Sequence, residues 1–142
     1  MKGMSDDQVL AFNKDIIAEF RDNDGKCGGM FEGNDMLLLT MTGAKSGRTL
    51  TSPLTYHPYE GDYLVMASAG GDPQHPAWYY NLVANPDVTL EVGTERFDAT
   101  ANQLVGDARQ AAFESMVAAM PRFGDYQTGV DREIPLFRLA RK

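Results

Sequence analysis

A stretch near the start of the chain, residues 5–23, has hydrophobic positions at the three- and four-residue spacing of an amphipathic α-helix. Ser5, followed by two aspartates, is a favourable helix start. The polar face mixes acids with bases and lacks the basic face of a membrane-surface helix, so packing against the protein's own core is favoured. This N-terminal helical segment is placed at 1–24. Its apolar positions are Val9, Phe12, Ile16, Ile17 and Phe20.

After a Gly-rich loop, the pattern changes to short runs of apolar and β-branched residues punctuated by glycines, which predicts strands. Two further helices are expected, the first with a proline at a first helical position and an Asn-Pro pair behind it. Six strands and three helices indicate a mainly β, α+β fold, an antiparallel sheet closed or half closed into a barrel with helices outside. The predicted strands are 36–42, 50–59, 63–69, 88–92, 96–105 and 134–140, and the helices 76–84 and 107–120.

Composition and charge narrow the class of protein. A chain of 142 residues fits one domain, 1–142, with the barrel over 36–140. The net charge of −7 argues against non-specific nucleic-acid binding. A lone cysteine, Cys27, cannot form an intramolecular disulfide. With no signal-peptide pattern and no membrane-spanning apolar run, we expect a cytoplasmic protein, with peripheral membrane attachment left open.

The acids are unevenly distributed, and this points to a basic site. Residues 36–59 contain none, where even scattering would place about three. Within this window the segment 42–48 carries Lys45 and Arg48, but it is not a Walker A loop because Ala44 stands where that motif has glycine. Its glycines, cations and Ser46 suit an anionic ligand. A solvated turn with two surface cations is the alternative.

A second segment, 67–81, ends a predicted strand in small residues and begins a helix that holds the only tryptophan, Trp78. Small residues let a flat ligand approach the backbone, and the aromatic side chains could pack against it. Alternatively, Trp78 and Tyr79 simply pin the helix to the barrel. His57, His75 and Cys27 show neither metal-ligand spacing nor the context of a nucleophile and its base, so no metal site is expected; packing or solvent-facing roles are favoured for all three.

Taken together, the chain resembles the deazaflavin-dependent nitroreductases, small split-barrel reductases that use reduced coenzyme F-420. The resemblance implies a six-stranded, FMN-binding split-barrel-like fold and hydride transfer to a hydrophobic, electron-poor acceptor such as a quinone, an activated alkene or lactone, or a nitro compound. An FMN-dependent oxidoreductase and a non-catalytic deazaflavin carrier are the alternatives. The matching residues are 38–48, 52–54, 67–71, 76–82, 84–86, 125–127, 131–132 and 134–135.

The resemblance also implies site residues. The cofactor's anionic tail would lie against Ala44, Lys45, Ser46, Gly47 and Arg48. The ring would lie in a groove walled by Leu50, Thr51, Ser52, Pro53, Leu54 and Thr55, by Met66, Ala67, Ser68 and Ala69, and by Ala77, Trp78, Tyr79 and Asn81. Tyr126 would donate a proton or hydrogen bond to the acceptor, with solvent as the alternative donor, and Met120 and Phe123 would complete the acceptor pocket.

Some positions depart from the family pattern. Many members have arginine where this chain has Ala44 and Leu50, so either Arg48 compensates or the tail binds more weakly. Many also have lysine in place of Ala69 and tyrosine in place of Phe123, and the missing hydroxyl argues against a typical nitroaromatic substrate. A bulky, planar, hydrophobic acceptor is therefore expected.

Overall fold

The computed structural model describes residues 6–29, 33–68 and 74–142, with side chains from residue 11 onward. The first helix, α1, spans Asp6–Asp22. Ile16 and Phe20 on its apolar face are buried together with Met36 and Leu38 of the first strand. The amphipathic pattern thus finds its partner within the protein, as the mixed charge of the opposite face predicted.

One antiparallel sheet forms the body of the molecule. Its strands are β1 (Met36–Thr42), β2 (Thr49–Thr55), β3 (His57–Tyr59), β4 (Asp62–Met66), β5 (Asp87–Val92), β6 (Glu95–Leu104) and β7 (Leu136–Arg141). They lie in the order β2-β1-β5-β6-β7-β4-β3. Short glycine turns join neighbouring strands, as in Gly93 between β5 and β6, where φ is +59°.

The described residues form seven strands, so the prediction of six was wrong. The run 50–59 is divided at Tyr56, whose backbone N–H donates to the carbonyl of Asp35 at 2.9 Å. The part before Tyr56 pairs with β1, and the part after it pairs with β4, at the other edge of the sheet. Because one residue joins strands at opposite edges, the sheet must curl until its edges meet, which gives the half-barrel.

Three more helices follow: α2 (Ala77–Ala84), α3 (Gly106–Ala119) and α4 (Arg122–Thr128). Pro76 is the N-cap of α2, one residue before its first helical position. The sequence did not predict α4, a helix of seven residues interrupted by Gly124. Its buried Phe123 packs in the same cluster as Met116 of α3, and this tertiary contact offsets its weak local preference for helix.

The core is divided between the two faces of strands β4 and β7. Val65 and Phe137 face a cluster inside the barrel, against which α2 packs. Leu64, Met66 and Leu136 face a second cluster, which α3 and α4 cover. The carboxyl end of β4 therefore lies between α2 on one side and α4 on the other. Of the helices in the described ranges, none has the length and hydrophobicity that crossing a bilayer requires.

Candidate cofactor and acceptor site

The loop between β1 and β2, residues 43–48, is held in a fixed shape by its own backbone, and we call it the cationic loop. The N–H of Gly43 donates to the carbonyl of Arg48 at 2.8 Å, and the N–H of Gly47 donates to the carbonyl of Gly43 at 3.0 Å. Gly47 has φ +69°, a conformation that favours glycine. The Ser46 hydroxyl accepts from the Arg48 N–H at 3.2 Å. These hydrogen bonds, all within the loop, define its shape.

Both cations of this loop are exposed, and neither is engaged by an acid in the part of the chain that the structure describes. Among the described residues, neither Lys45 nor Arg48 forms an ion pair, whereas Arg21, Arg138 and Arg141 each pair with a carboxylate. The acid-free window of residues 36–59 contributes to this contrast. The nearby Asp87, which shares a surface cavity with Thr42 and Thr49, pairs with Lys142 at 2.7 Å. Two unpaired cations beside a tight loop are suited to binding a phosphate or carboxylate.

Helix α2 is attached directly to the cationic loop. The side-chain oxygen of Asn81 accepts from the Ala44 N–H at 2.9 Å, and the Asn85 amide donates to the carbonyl of Thr42 at 3.5 Å. Ala77 and Trp78 lie about one turn before Asn81 and therefore share its side of the helix. The structure thus brings together the two segments that the sequence analysis singled out separately.

Trp78 and Tyr79 are half-buried and make packing contacts with the barrel. Each ring has its centroid 6.0 Å from that of Phe137. The alternative, that these two side chains pin the helix to the barrel, is therefore present in the structure. It does not compete with a binding role, because part of each side chain remains accessible. Such rings give a ligand a fixed apolar wall.

Every residue of β2 from Leu50 to Thr55 is half-buried, and the two faces of the strand differ. Leu50 and Leu54 pack against the barrel cluster. On the other face, the hydroxyls of Thr51 and Thr40 are hydrogen-bonded at 2.9 Å, and the Thr55 hydroxyl donates to the sulfur of Met36 at 3.2 Å. Because alternate side chains point to opposite faces, a ligand on one side of β2 meets the side chains of either Leu50, Ser52 and Leu54, or Thr51, Pro53 and Thr55.

The end of β4 adjoins the cluster that contains the predicted acceptor residues. Met66 and Ala67 are buried and Ser68 is half-buried, while Ala69 lies outside the described residues. The Ala67 N–H donates to the carbonyl of Pro135 at 2.9 Å. Met66 shares its cluster with Phe123, Met120 and Tyr126, so the structure places the acceptor residues beside one predicted wall of the ring groove.

The predicted acceptor residues differ in their exposure. Tyr126 and Met120 are half-buried and can contact a ligand, whereas Phe123 is only 5% exposed. The rings of Phe123 and Tyr126 meet edge to face, with centroids 6.3 Å apart. Phe123 therefore supports Tyr126 from within the core and presents little surface to an acceptor.

Two further residues, Arg132 and His75, were not assigned to the site from the sequence. One terminal nitrogen of Arg132 (Nη2) donates to the carbonyls of Ala67 and Ser68, both at 3.1 Å, and the other (Nη1) donates to Nδ1 of His75 at 2.9 Å. The His75 ring stacks on Tyr79 with centroids 4.2 Å apart. Burial, and then the positive charge of Arg132, lower the pKa of His75, in agreement with an unprotonated Nδ1 that accepts a hydrogen bond.

A buried polar network holds the segment that carries Arg132. Arg109 of α3, 7% exposed, donates to the Ile134 carbonyl at 2.7 Å and to the side-chain oxygen of Gln127 at 3.1 Å. The same oxygen of Gln127 accepts from the Ile134 N–H at 2.8 Å, and the Gln127 amide donates to the Arg132 carbonyl at 2.8 Å. The only sequence signal was the Asp-Arg pair at 131–132, which belongs to the family resemblance but carried no assigned role.

The remaining candidates take packing roles. His57 shares a 2.9 Å hydrogen bond with Ser115, and Cys27 is buried, which raises the pKa of its thiol. Within the part of the chain that the structure describes, no three His, Cys, Asp or Glu side chains converge as a metal site. Among the described residues, one surface cavity lies beside Arg21 and Glu91, and another lies next to the cationic loop, lined by Thr42, Thr49 and Asp87.

Comparison with known proteins defines the class. The model of the family described as F420H(2)-dependent quinone reductase matches residues 13–140, and the chain belongs to this family. It is 40% identical over 129 residues to an F420H(2)-dependent quinone reductase of Mycobacterium tuberculosis, which covers 88% of this chain and 87% of the relative. The resemblance to deazaflavin-dependent reductases is confirmed.

Solved structures agree with this assignment. The chain is 42% identical to an F420-H2 dependent reductase (FDR-A), with a TM-score of 0.68 over 74% of this chain and 93% of the other. It is 37% identical to a protein described as a domain-swapped dimer, with a TM-score of 0.71 over 95% and 99% of the two chains. The curled antiparallel sheet with outer helices is thus the split-barrel fold of an oxidoreductase family, with seven strands in place of the expected six.

Proposed function

We propose that this protein transfers a hydride from reduced coenzyme F-420 to a quinone-type acceptor. Membership of the family over residues 13–140 carries the proposal. The junction of the cationic loop with α2, through Ala44 and Asn81, supports it because it joins a place for an anionic tail to an aromatic wall. Reduced coenzyme F-420 supplies a hydride and, having carbon in place of the central-ring nitrogen of flavins, acts as a two-electron donor.

The anionic tail of the cofactor is assigned to Lys45, Arg48 and Ser46. The two side-chain cations have no carboxylate partner among the described residues, and the Ser46 hydroxyl, although it accepts from the Arg48 N–H, retains its own proton to donate. The Ala44 N–H is already bound to Asn81, so this backbone group is not free for the tail. Because Ala44 and Leu50 replace arginines of the family pattern, most of the charge on the tail falls to Lys45 and Arg48.

The ring is assigned to the groove between β2, the end of β4 and α2. The walls are held in place before binding, by Arg132 at Ala67 and Ser68 and by core packing at Trp78. Such preorganisation lowers the ordering cost of placing a flat ring. Acceptor specificity is assigned to the apolar surface around Met120 and Tyr126, which suits a planar, hydrophobic quinone.

The proton that accompanies the hydride is assigned to Tyr126 or to solvent. Reduction of a quinone to a hydroquinone adds the hydride, one further proton and no other atoms. The half-buried phenol of Tyr126 lies in an apolar cluster next to Met66, where a hydrogen bond to a developing oxyanion is strong. Proximity in this groove supplies much of the rate, so no separate acid–base pair is required.

A stopped-flow assay with pure protein, reduced coenzyme F-420 and a panel of quinones, unsaturated lactones and nitroaromatics tests the proposal. We expect oxidation of the cofactor and formation of one hydroquinone per cofactor, fastest with hydrophobic quinones. A protein that binds the cofactor but leaves its oxidation rate unchanged with every acceptor would instead be a carrier. Binding of FMN in preference to the deazaflavin, measured by fluorescence titration, would contradict the cofactor assignment.

A further inference from the structure

Arg132 contacts two walls of the groove at the same time. On one wall its guanidinium binds the carbonyls of Ala67 and Ser68, at the end of β4. On the other it binds the ring of His75, which stacks on Tyr79 of α2. These partners lie on the two sides of the connection between β4 and α2, so a single side chain bridges its ends.

We infer that Arg132 is a positioning residue that fixes the separation of the β4 wall from the α2 wall and ties both to the helix that carries Tyr126. This inference rests on the proposed function for its catalytic consequence, since the groove between these walls is the assigned place of the ring. It goes beyond that function because no cofactor or acceptor contact is assigned to Arg132 itself.

The chemistry of the side chain favours arginine at this position. A guanidinium is planar and presents its donors in a fixed fork, so its hydrogen bonds to Ala67, Ser68 and His75 define the angle between the walls as well as their distance. A lysine ammonium offers three donors at one point on a flexible stem and cannot reproduce that spread. The Arg132→Lys variant therefore keeps the positive charge but cannot form the same set of hydrogen bonds to both walls.

The link to the acceptor side runs through Gln127. Its amide donates to the backbone carbonyl of Arg132 at 2.8 Å, and its oxygen accepts from Arg109 and from the Ile134 N–H. Gln127 follows Tyr126 directly in α4, so the turn that carries the phenol is bonded to the segment that carries Arg132. The ring groove and the acceptor helix thus share one hydrogen-bonded support.

The test first measures the protein without any ligand. The chain has one tryptophan, Trp78, in the first turn of α2, and its quenching by acrylamide reports how firmly that wall is held. We expect Arg132→Lys to raise the quenching constant about twofold through local opening of α2. His75→Phe, which keeps an aromatic ring for Tyr79 but removes the acceptor of Arg132, should do the same. Arg96→Lys, an exposed position on β6 far from the groove, is the matched control and should match the wild type.

The second measurement uses the cofactor and separates positioning from simple loss of stability. In Arg132→Lys we expect about tenfold weaker binding of coenzyme F-420 by fluorescence titration, and about a tenfold lower kcat with little change in the KM for the quinone. A merely structural role would lower the thermal midpoint and the folded fraction but leave the Kd and kcat of the folded protein unchanged, and that result would overturn the inference.

The two proposals fail in different ways. If the wild-type protein neither binds nor oxidises the reduced cofactor, the proposed function fails, whereas the Trp78 quenching of the variants still decides whether Arg132 holds the walls. If the wild type is active and Arg132→Lys equals it in quenching, cofactor affinity and kcat, the inference about Arg132 is wrong and the function stands.

Discussion

The cationic loop differs in its use of positive charge from the polar network formed by Arg109, Gln127 and Arg132. In the loop, Lys45 and Arg48 are exposed and have no carboxylate within the described part of the chain. In the network, Arg109 donates to the Ile134 carbonyl and lies 3.4 Å from Glu133, and the bonds of Arg132 include those to the carbonyls of Ala67 and Ser68. The loop keeps its hydrogen-bonding capacity for a ligand, while the network uses its capacity to hold the fold around that ligand.

The largest expected effect is on the loop. Lys45→Ala combined with Arg48→Ala should weaken binding of coenzyme F-420 about a hundredfold, since each exposed charge-assisted contact contributes roughly one order of magnitude. The remaining affinity should also depend less on salt. Fluorescence titration at two ionic strengths measures both quantities.

The matched control removes two cations that are already paired. Arg21→Ala combined with Arg141→Ala changes the net charge equally, but both residues are bonded to carboxylates, Glu91 and Glu95. We expect little change in cofactor affinity. An equal loss in the two double variants would mean that net charge, and not the loop, governs binding, and would leave the loop as a solvated turn.

The second-largest effect is a loss of stability when the polar network around Arg109 is disrupted. Arg109→Ala should lower the free energy of unfolding by about 2 kcal/mol, because it leaves the buried carbonyl of Ile134 without its donor. Urea unfolding followed by circular dichroism measures this quantity. Arg96→Ala, at an exposed and weakly paired position, should change it by no more than about 0.5 kcal/mol. Equal losses of unfolding free energy in Arg109→Ala and Arg96→Ala would mean that the polar network does not stabilise the fold more than an exposed arginine does.

A smaller effect is expected at Tyr126, where the network meets the acceptor. Tyr126→Phe should lower kcat about tenfold while leaving cofactor affinity unchanged, because only the hydrogen bond to the developing oxyanion is lost. Single-turnover kinetics with a hydrophobic quinone measures the hydride-transfer step directly. An unchanged rate would assign the proton to solvent.

The smallest effect is a dependence on pH that originates at His75. Its pKa is lowered in the folded protein, so the neutral ring is favoured, and the stability from this group is complete above the ordinary histidine pKa and is lost as the pH falls below it towards the folded pKa. Within the described ranges, the charged group that contacts His75 is Arg132, and the rings of Tyr79 and Tyr80 lie beside it. Thermal unfolding between pH 7 and pH 5 should show a loss in the wild type that is reduced in His75→Phe.

Local sequence patterns predicted most helices and strands, but they did not predict where consecutive segments pair with different strands. The spacing of Ile16 and Phe20 predicted α1, alternation predicted β5, and the turn at Gly93 predicted the return strand β6. The division at Tyr56 was missed because residues 50–59 give one strand-like pattern, which does not reveal that its two halves form opposite edges of the sheet. Helix α4 was missed because its stability comes from burying Phe123 against α3, a contact remote in sequence.

In the candidate site, too, some features were predicted from the sequence and others became visible only in the fold. The residues of the loop and of α2 were each found as separate segments, and family membership connected them to a deazaflavin. Phe123 was expected to line the acceptor pocket, yet the fold leaves it 5% exposed, because exposure depends on how α4 lies against α3. Arg132 matched the family pattern but received no role, since an arginine before a strand is compatible with almost any role.

The sequence by itself determined the acid-free window, the periodic elements and the family, because these depend on residue order alone. Tertiary structure decided which donors remain free and which are used, because hydrogen-bond partners are distant in the chain: Ala44 and Asn81 are 37 positions apart, and Arg132 lies 57 from His75 and 65 from Ala67. A hydrogen bond requires two groups within about 3 Å, and only the folded chain brings them there.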